Sequence, residues 1–366
     1  MTKHDVPKNI LIIVTRRIGD VLLTTPLIRS LRLAYKEALI DVLVFKSTGG
    51  CITANPDINK TITIQQGATL QDQIKTICRL FRRYDLAIST LSGDRPIFYS
   101  WIAGKHCVGF VEKGYKNLWK RFVLDKYVLF DNYDTHTVTM NLSLLHCLGL
   151  KQIQEVTASW TNKDKTTVRK LLPFDIKKGN YAVVHVYPMF SYKMWNLDGW
   201  IKVIKWLYSS KGLKIVLTGG NSPDELEYTS LLHQSLPEGS VNTAGKINLG
   251  GVAYLLSNAS VYVGLDTAVT HIAAALGIPT VALFGPTNPV KWGPMPNNLS
   301  FSGKSPYARK GSQIVKNVFL LQGQGECVPC HEEGCDRNIK SLSKCLQEIP
   351  ADNVIEALET MIRQKH

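Results

Sequence analysis

The chain has 366 residues, of which 45% are hydrophobic and 20% charged, a composition typical of globular domains and unlike that of disordered or fibrous proteins. No stretch approaches the roughly 18 consecutive apolar residues of a membrane-spanning helix, and the apolar run near the N-terminus is too short for a secretory signal. A chain of this length is long for one domain and suits two, each with its own core.

The net charge of +14 is unevenly distributed along the chain. Residues 1–172 hold 25 Lys and Arg against 14 Asp and Glu, a net charge of +11, whereas the remainder holds 18 against 15, a net charge of +3. This asymmetry favours an anionic partner for the first half, such as a phosphorylated sugar, a lipid headgroup or nucleic acid. Charge that serves only solubility is the alternative. No helix-turn-helix, RNA-recognition or OB signature accompanies the basic residues, so a nucleic-acid partner is not expected.

The first half of the chain predicts short strands separated by helices. Residues 9–15 form an apolar run, and a helix is predicted to begin near Asp20. Further strands are predicted at residues 38–45, 84–90 and 105–110. Strands separated by helical segments of roughly ten or more residues indicate a parallel sheet with crossover helices.

A second series of the same kind follows. Its predicted strands cover residues 180–186, 213–220, 240–245, 260–265 and 280–285. Two such series predict an α/β protein of two Rossmann-like halves that join near residues 172–178.

An amphipathic helix is predicted at residues 351–362, with Asp352 or Asn353 able to cap it. The predicted organisation is therefore a first domain of residues 1–172 and a second of residues 173–350. Residues 351–366 are expected to form a terminal helix that packs back on the first domain.

Polar residues stand at two of the predicted strand-to-helix junctions. One junction carries Asp266, Thr267, Thr270 and His271, and the other is the segment 16–20. Ligands of open α/β sheets bind beyond the carboxyl ends of strands, where free helix N–H groups favour phosphate. The residues therefore predict a phosphate-binding cleft. The alternative is that Asp266 or Thr267 only caps the helix and that His271 is a satisfied core histidine.

Two long motifs, TRRIGDVLLTTP at 15–26 and GLDTAVTHIAAALGIPTVALFGPTNP at 264–289, resemble the ADP-heptose:lipopolysaccharide heptosyltransferases, glycosyltransferase family 9. The resemblance extends over nearly the whole chain and includes Lys193-x-Trp195, Gly219-Gly220, residues 292–294 and the terminal helix. It implies a GT-B fold, in which two Rossmann-like, doubly wound domains face each other across the active-site cleft. It also implies inversion at the transferred sugar, without a cofactor required for catalysis.

The resemblance assigns roles residue by residue. Asp20, which follows Gly19 in the family's Gly-Asp pair, is the expected general base, and Lys193 is expected to contact the donor diphosphate. The remaining implied donor contacts are Gly19, Gly219, Gly220, Asp224, Glu225, Asp266, Thr267, Ala268, Thr270 and His271. The family usually has glycine where this chain has Ala268, and alanine tolerates a positive φ less well.

Each role has a structural alternative. Asp20 is equally suited to capping a helix, and Lys193 to lying on the surface beside Trp195. Asp224 and Glu225 would also serve as solvated charges in the first turn of a helix.

Basic and aromatic side chains alternate in the segment 105–126, which predicts a surface for an anionic acceptor or a lipid headgroup. Lys116, Lys120 and Arg121 are the predicted acceptor contacts, and Arg16 and Arg17 are expected to extend the positive field beside Asp20. The alternative is a solvated helix whose aromatic side chains pack on the first domain.

Four cysteines lie close together near the C-terminus: Cys327, Cys330, Cys335 and Cys345. A CxxC pair with two further thiols is compatible with structural Zn or Fe, and His331 is a spare ligand. The spacing is not that of a standard zinc ribbon, so buried free thiols are the alternative. Disulfides are not expected, because the chain is predicted to be cytosolic.

The sequence thus predicts a cytoplasmic glycosyltransferase, peripheral on the inner face of the inner membrane. The expected reaction moves heptose from ADP-heptose to an anionic lipopolysaccharide core sugar. Within the same family, another donor sugar or a protein acceptor is the nearer alternative. A non-catalytic protein that binds anions or nucleic acid is the alternative of a different class.

Overall fold

The computed structural model describes residues 6–364 of the chain. The chain divides into two compact units, Met1–Thr157 and Ala158–His366. Each unit contains its own mainly parallel sheet with helices, so the prediction of two α/β halves is confirmed. No helix in the described part of the chain is long and apolar enough to cross a bilayer.

Unit 1 is built on six parallel strands in the order β3-β2-β1-β4-β5-β6. The strands are β1 (Asn9–Ile13), β2 (Leu39–Phe45), β3 (Lys60–Ile64), β4 (Tyr84–Ser89), β5 (Gly104–Val111) and β6 (Lys126–Leu129). The helices are α1 (Ile18–Leu22), α2 (Thr25–Ala34), α3 (Leu70–Leu80), α4 (Asp94–Ala103), α5 (Leu118–Val123) and α6 (Thr137–His146). The strand order reverses between β1 and β4, which makes this pair the topological switch point of the sheet.

Three helices of unit 1 share one face of its sheet. The connections from β3 to β4, from β4 to β5 and from β5 to β6 all step across the sheet in the same direction. Because parallel crossovers are right-handed, the helices α3, α4 and α5 in these connections lie on one face. The contacts of α3 with α4 and of α4 with α5 agree with this arrangement.

Unit 2 has a seven-stranded sheet in the order β12-β13-β11-β10-β7-β8-β9, parallel except for the pair of β12 with β13. Its strands are β7 (Tyr181–His185), β8 (Lys214–Thr218), β9 (Val241–Asn242), β10 (Val261–Leu265), β11 (Thr280–Phe284), β12 (Gln313–Val315) and β13 (Val318–Gln322). Its helices are α7 (Asn162–Leu171), α8 (Leu197–Lys211), α9 (Pro223–Gln234), α10 (Leu249–Leu256), α11 (Ala268–Ala275), α12 (Pro289–Trp292), α13 (Lys344–Gln347) and α14 (Ala351–Arg363). In this sheet the strand order reverses between β7 and β10, which makes this pair the topological switch point of unit 2.

The boundary between the units falls earlier than the sequence predicts. The predicted join is at residues 172–178, but the chain divides after Thr157, because α7 packs against α10 of unit 2. A Cβ added to Gly250 would lie 2.6 Å from the Asp164 carboxylate, so the glycine lets the two helices approach closely. The Arg169 guanidinium also donates to the Tyr254 hydroxyl at 3.0 Å.

The terminal helix forms where it is predicted, but it begins after Pro350 rather than at Asp352 or Asn353. Its apolar stripe lies in the core of unit 2, beside α8 and the second sheet. The buried residues of this stripe are Val354, Ala357, Leu358 and Met361. The prediction placed this helix on the first domain; the structure instead packs its buried face within unit 2, where the apolar side chains of α8 complement it. Its predicted last residues, 365–366, lie outside the described residues.

Candidate active site

Two residues that are 73 positions apart meet at the switch point of unit 2. Lys193 ends a short 3-10 turn after β7, and Asp266 directly follows β10. The Lys193 Nζ atom donates to Asp266 Oδ2 at 2.5 Å, and both side chains are largely buried. Because β7 and β10 are neighbouring parallel strands, their carboxyl ends bring this ammonium and this carboxylate together.

The two charges stabilise each other inside the protein. Burial alone would raise the pKa of the Asp266 carboxyl group. The Lys193 ammonium outweighs that effect, with help from a hydrogen bond to Thr287 and from His271, so the net pKa is lowered. Asp266 is therefore ionised at neutral pH, and Lys193 is not the surface lysine of the alternative interpretation.

His271 is buried beside this ion pair. Burial lowers its pKa to about 4, so the imidazole is neutral at pH 7. Its Nδ1 atom has no hydrogen-bond partner among the described residues, which is unusual for a buried polar atom. The interpretation of His271 as a core histidine with its hydrogen bonds satisfied therefore does not fit the structure.

The turn after β10 uses some of the predicted donor contacts for its own structure. The Thr270 side chain is fully buried, and its hydroxyl donates to the Leu265 carbonyl and lies 2.8 Å from the Tyr262 hydroxyl. A Cβ on Gly264 would lie 2.1 Å from that tyrosine oxygen. The Thr270 hydroxyl is already hydrogen-bonded within the turn. Thr270 therefore stabilises the turn and is not free to contact the donor nucleotide sugar.

Ala268 is the first residue of α11, and Thr267 is the N-cap. Ala268 does not adopt a positive φ, so the departure from the family's glycine causes no backbone strain here. The Thr267 side chain makes no capping hydrogen bond to the helix. Its hydroxyl is therefore not used as the cap that the alternative interpretation expected.

Gly219 and Gly220 follow β8 and admit the side chain of Glu225. A Cβ on Gly220 would lie 2.6 Å from Glu225 Oε2. Burial raises the pKa of Glu225, although hydrogen bonds from the Gly220 backbone and the Ser222 side chain oppose the shift. Asp224, one position earlier in the first turn of α9, is exposed. Glu225 thus packs against the glycine turn, whereas Asp224 faces solvent.

Asp20 lies in unit 1, in α1 directly after β1, beside the switch point with β4. Its Oδ1 atom lies 3.6 Å from Arg16 Nε, and the carboxylate is buried. Burial raises the pKa of Asp20, although Arg16 and Arg17 oppose the shift. Backbone N–H groups at the start of a helix favour the ionised form of a carboxylate. Asp20 has such a backbone hydrogen bond, but the effect of burial is larger.

The predicted acceptor contacts in unit 1 separate into two kinds. Lys120 is buried: its Nζ atom donates to the Ser92 carbonyl at 2.6 Å and lies 2.8 Å from Asp94 Oδ1. This lysine ties α5 to the start of α4 and is not available to an acceptor. Lys116 and Arg121 are exposed, as is Arg16 beside Asp20.

The tail cysteines are free thiols, of which Cys327 and Cys335 are exposed and Cys330 and Cys345 partly buried. Burial raises the pKa of Cys345 to about 11, and the proximity of the other three thiols adds to the shift. Across residues 6–364, no group of three or more His, Cys, Asp or Glu side chains is arranged to hold a metal ion. The predicted ligands are therefore near one another but do not form a metal site in this arrangement.

Sequence reasoning missed two residues of the site, Thr287 and Tyr262. Thr287 bonds to Asp266 and follows β11, the neighbour of β10, so its position after a strand at the same sheet edge was the available signal. Tyr262 lies in the middle of β10 and has the pattern of an ordinary core residue. Its ring packs against Gly264 and its hydroxyl contacts Thr270, and both contacts are visible only in the folded structure.

The arrangement agrees with comparisons to known proteins. The chain is 29% identical over 361 residues to lipopolysaccharide heptosyltransferase 3 of Escherichia coli (strain K12), covering 94% of this chain and 95% of that protein. The solved structure of a family 9 glycosyl transferase from Veillonella parvula DSM 2008 superposes with a TM-score of 0.75 at 20% identity, covering 98% of this chain and 97% of that one. The E. coli heptosyltransferase WaaC with ADP-2-deoxy-2-fluoro heptose superposes with a TM-score of 0.67 at 21% identity, covering 98% of this chain and 100% of that one.

The match to a family model decides the identity. The model for glycosyltransferase family 9 (heptosyltransferase) matches residues 79–317, more than half of the chain. The two doubly wound sheets fit the GT-B fold of the solved heptosyltransferases. The chain is therefore a glycosyltransferase and belongs to family 9, the heptosyltransferases.

Proposed function

We propose that the chain is an inverting heptosyltransferase that moves heptose from ADP-heptose to an inner-core sugar of lipopolysaccharide. The observation that carries the proposal is the buried Lys193–Asp266 pair beside the neutral His271. A partly buried ammonium suits a diphosphate, since it attracts phosphate oxygens more strongly at low dielectric than in water, and the neutral imidazole can donate a hydrogen bond to them. The names of the relatives and the sugar nucleotide bound to one of them support the same donor.

Unit 2 would bind the donor. Lys193 ends the 3-10 turn that follows β7 and would stabilise the negative charge that develops on ADP as it departs. The backbone N–H groups at the start of α11 add a positive dipole end beside it. Because these groups meet the leaving charge, the proposal requires no metal or other cofactor for the transfer. Asp224 or Glu225, after Gly219 and Gly220, would accept the ribose hydroxyls.

Asp20 would act as the general base. Its carboxylate takes the proton of the acceptor hydroxyl while the acceptor oxygen forms a bond to the anomeric carbon. The bond from that carbon to the ADP oxygen breaks on the opposite side, so ADP leaves with the electron pair and the configuration inverts. A raised pKa makes this carboxylate a stronger base than an exposed aspartate. Arg16 and Arg17 would attract the anionic groups of the acceptor.

A donor screen by thermal shift tests the proposal. A ligand that binds only the folded state raises the melting temperature, so ADP-heptose should raise it more than UDP- or GDP-sugars at equal concentration. Transfer to a heptose-bearing core oligosaccharide should then give a product whose new linkage has the anomeric configuration opposite to that of the donor, measured by NMR. A larger shift with another nucleotide sugar would indicate a different donor within the family. Retention of configuration would contradict the role of Asp20.

A further inference from the structure

Large apolar side chains are exposed on α4, on α5 and in the short turn that leads into α5. Phe122 is 87% and Tyr115 78% exposed, values far from those of core residues. We name the aromatic surface by its exposed members: Phe98, Trp101, Tyr115, Leu118, Trp119 and Phe122. Scattered exposed apolar residues are ordinary, but five on two neighbouring helices and Tyr115 just before the second one form a larger patch.

The fold places these side chains on one side of unit 1. Helices α4 and α5 lie on the same face of the sheet and contact each other. Phe98 and Trp101 are three positions apart on α4, with ring centroids 6.0 Å apart. On α5, Leu118 and Phe122 are four positions apart and therefore point the same way.

The buried Lys120 fixes the orientation of this surface. Its ammonium bonds to the Ser92 carbonyl and to Asp94 at the start of α4, so α5 is held with that residue facing inward. The neighbouring Trp119 and Phe122 then face outward. The ion pair thus presents the apolar side chains in a fixed position, and the aromatic surface is part of the folded domain.

Exposed cations surround the aromatic surface. They are Arg95, Lys113, Lys116 and Arg121. Two exposed carboxylates lie on the same segments: Asp94 pairs with Lys120, and Glu112 accepts a hydrogen bond from the Ser92 hydroxyl at 2.6 Å. The four exposed cations outnumber these two carboxylates, so the rim of the aromatic surface has an excess of positive charge.

We infer that the aromatic surface docks unit 1 on an anionic lipid bilayer. Apolar and aromatic side chains that bury at the boundary of headgroups and acyl chains, with Lys and Arg toward the headgroups, are the signature of an interfacial attachment. The positive rim complements the negative surface of such a membrane. A sugar acceptor is a poorer match, because Phe122 and Leu118 offer it no hydrogen bonds. The inference rests on unit 1 alone and stands independently of the donor proposed above.

Co-sedimentation of the full-length protein with vesicles tests the inference. The wild-type protein should bind vesicles that contain phosphatidylglycerol more tightly than vesicles of phosphatidylcholine alone, and added salt should weaken that binding. The double variant Leu118→Ser/Phe122→Ser should bind roughly tenfold or more weakly, because it removes apolar contact with the bilayer. The triple variant Lys113→Gln/Lys116→Gln/Arg121→Gln should lose most of the preference for anionic lipid.

A matched control is available in unit 2. Tyr208 and Leu231 are 43% and 52% exposed, close to Leu118 at 47% and less than Phe122 at 87%, so Tyr208→Ser/Leu231→Ser removes exposed apolar surface from another part of the chain. This control should bind vesicles as the wild type does, and melting temperatures of all variants should stay close to the wild-type value. Equal loss of binding in the control, wild-type binding by Leu118→Ser/Phe122→Ser, or no vesicle binding by the wild type would each overturn the inference.

A second measurement separates lipid from sugar. Transfer to a lipid-free core oligosaccharide should be unchanged in Leu118→Ser/Phe122→Ser, because this acceptor does not require a membrane. A variant that keeps vesicle binding but loses affinity for the oligosaccharide would overturn the lipid inference and make the aromatic surface an acceptor site. A failure of transfer in the wild type would contradict the proposed function and leave the vesicle result intact.

Discussion

Arg16 Nε lies 3.6 Å from Asp20 Oδ1, one helical turn away, and the guanidinium partly offsets the effect of burial on the carboxyl group. Without this cation, the pKa of Asp20 would be higher still. The pair therefore sets the pH range in which Asp20 is ionised, and this has a measurable consequence if Asp20 is the base.

We expect Arg16→Gln to move the acidic limb of the pH profile of kcat/KM toward higher pH. A base is active when ionised, and the pKa of Asp20 is raised, so activity is lost as the pH falls through that raised value. Removing Arg16 raises the pKa further, so the loss should begin at a higher pH. Arg29→Gln is the matched control, since Arg29 pairs with Asp57 at 2.8 Å instead. An unchanged acidic limb in Arg16→Gln would mean that another group controls it.

Asp20→Asn should lower kcat by roughly 10²- to 10⁴-fold, the usual effect of removing a general base. The amide is similar in shape and is neutral, so the buried position should accept it without loss of stability. Affinity for ADP, measured by calorimetry, should stay close to that of the wild type. Near-normal turnover in Asp20→Asn would assign the base elsewhere.

Lys193→Ala should weaken the binding of ADP by roughly 10- to 100-fold, the range expected for a charged hydrogen bond, and should lower turnover as well. It also leaves Asp266 as a buried carboxylate without its main partner, so the melting temperature should fall. Lys202→Ala is a suitable control, because Lys202 pairs with Asp352 at an exposed position. If Lys193→Ala bound ADP with wild-type affinity, the proposed diphosphate site would be wrong.

Thr270→Val should affect stability rather than donor binding. The substitution removes the hydroxyl that bonds to the Leu265 carbonyl, and it leaves the buried Tyr262 hydroxyl with one contact fewer. We expect a loss of about 1–3 kcal/mol in the free energy of unfolding, measured with urea. Affinity for ADP should change little. A large loss of ADP affinity at unchanged stability would restore Thr270 as a donor contact.

Maleimide labelling of the native protein tests the state of the tail. The exposed Cys327 and Cys335 should react readily at pH 7.5, whereas Cys345 should react slowly, because its raised pKa of about 11 keeps it protonated. The buried Cys51 should react only after unfolding. Protection of Cys327 and Cys335 that a chelator removes, together with a stoichiometric amount of Zn or Fe by elemental analysis, would favour the metal alternative.

Most strands buried on both sides were predictable from the sequence, although the buried apolar run of β13 was missed. Half-exposed strands were generally not predictable. The run that became β1 is apolar at nearly every position, as expected where helices cover both faces of a parallel sheet. In contrast, β3 alternates in exposure, and β6 is mostly exposed at the sheet edge, so neither has a continuous apolar pattern. The predicted strand at residues 240–245 shortened to Val241–Asn242 for the same reason.

The candidate site was predictable in outline because polar residues after buried strands converge at one edge of a sheet. That argument singled out Asp266 and His271, whereas Lys193 was assigned only through the family resemblance; its ion pair with Asp266 became visible in the structure. The argument did not separate side chains that face a ligand from those that hold the turn. Thr270 and Lys120 were assigned to ligands, yet both are buried and bonded to backbone carbonyls. The spacing of residues in the sequence does not show whether a hydroxyl or ammonium group binds a ligand or a backbone carbonyl.

The packing of α7 on α10 determines where the chain can be cut. A fragment that starts at Ala158 retains α7 and keeps Gly250 and Gly251 covered. A fragment that starts at residue 173, the boundary that the sequence suggests, would uncover this glycine-lined, mostly apolar groove on α10. Proteolytic dissection or expression of unit 2 alone should therefore use the earlier boundary, since the later one would leave an exposed apolar surface prone to self-association.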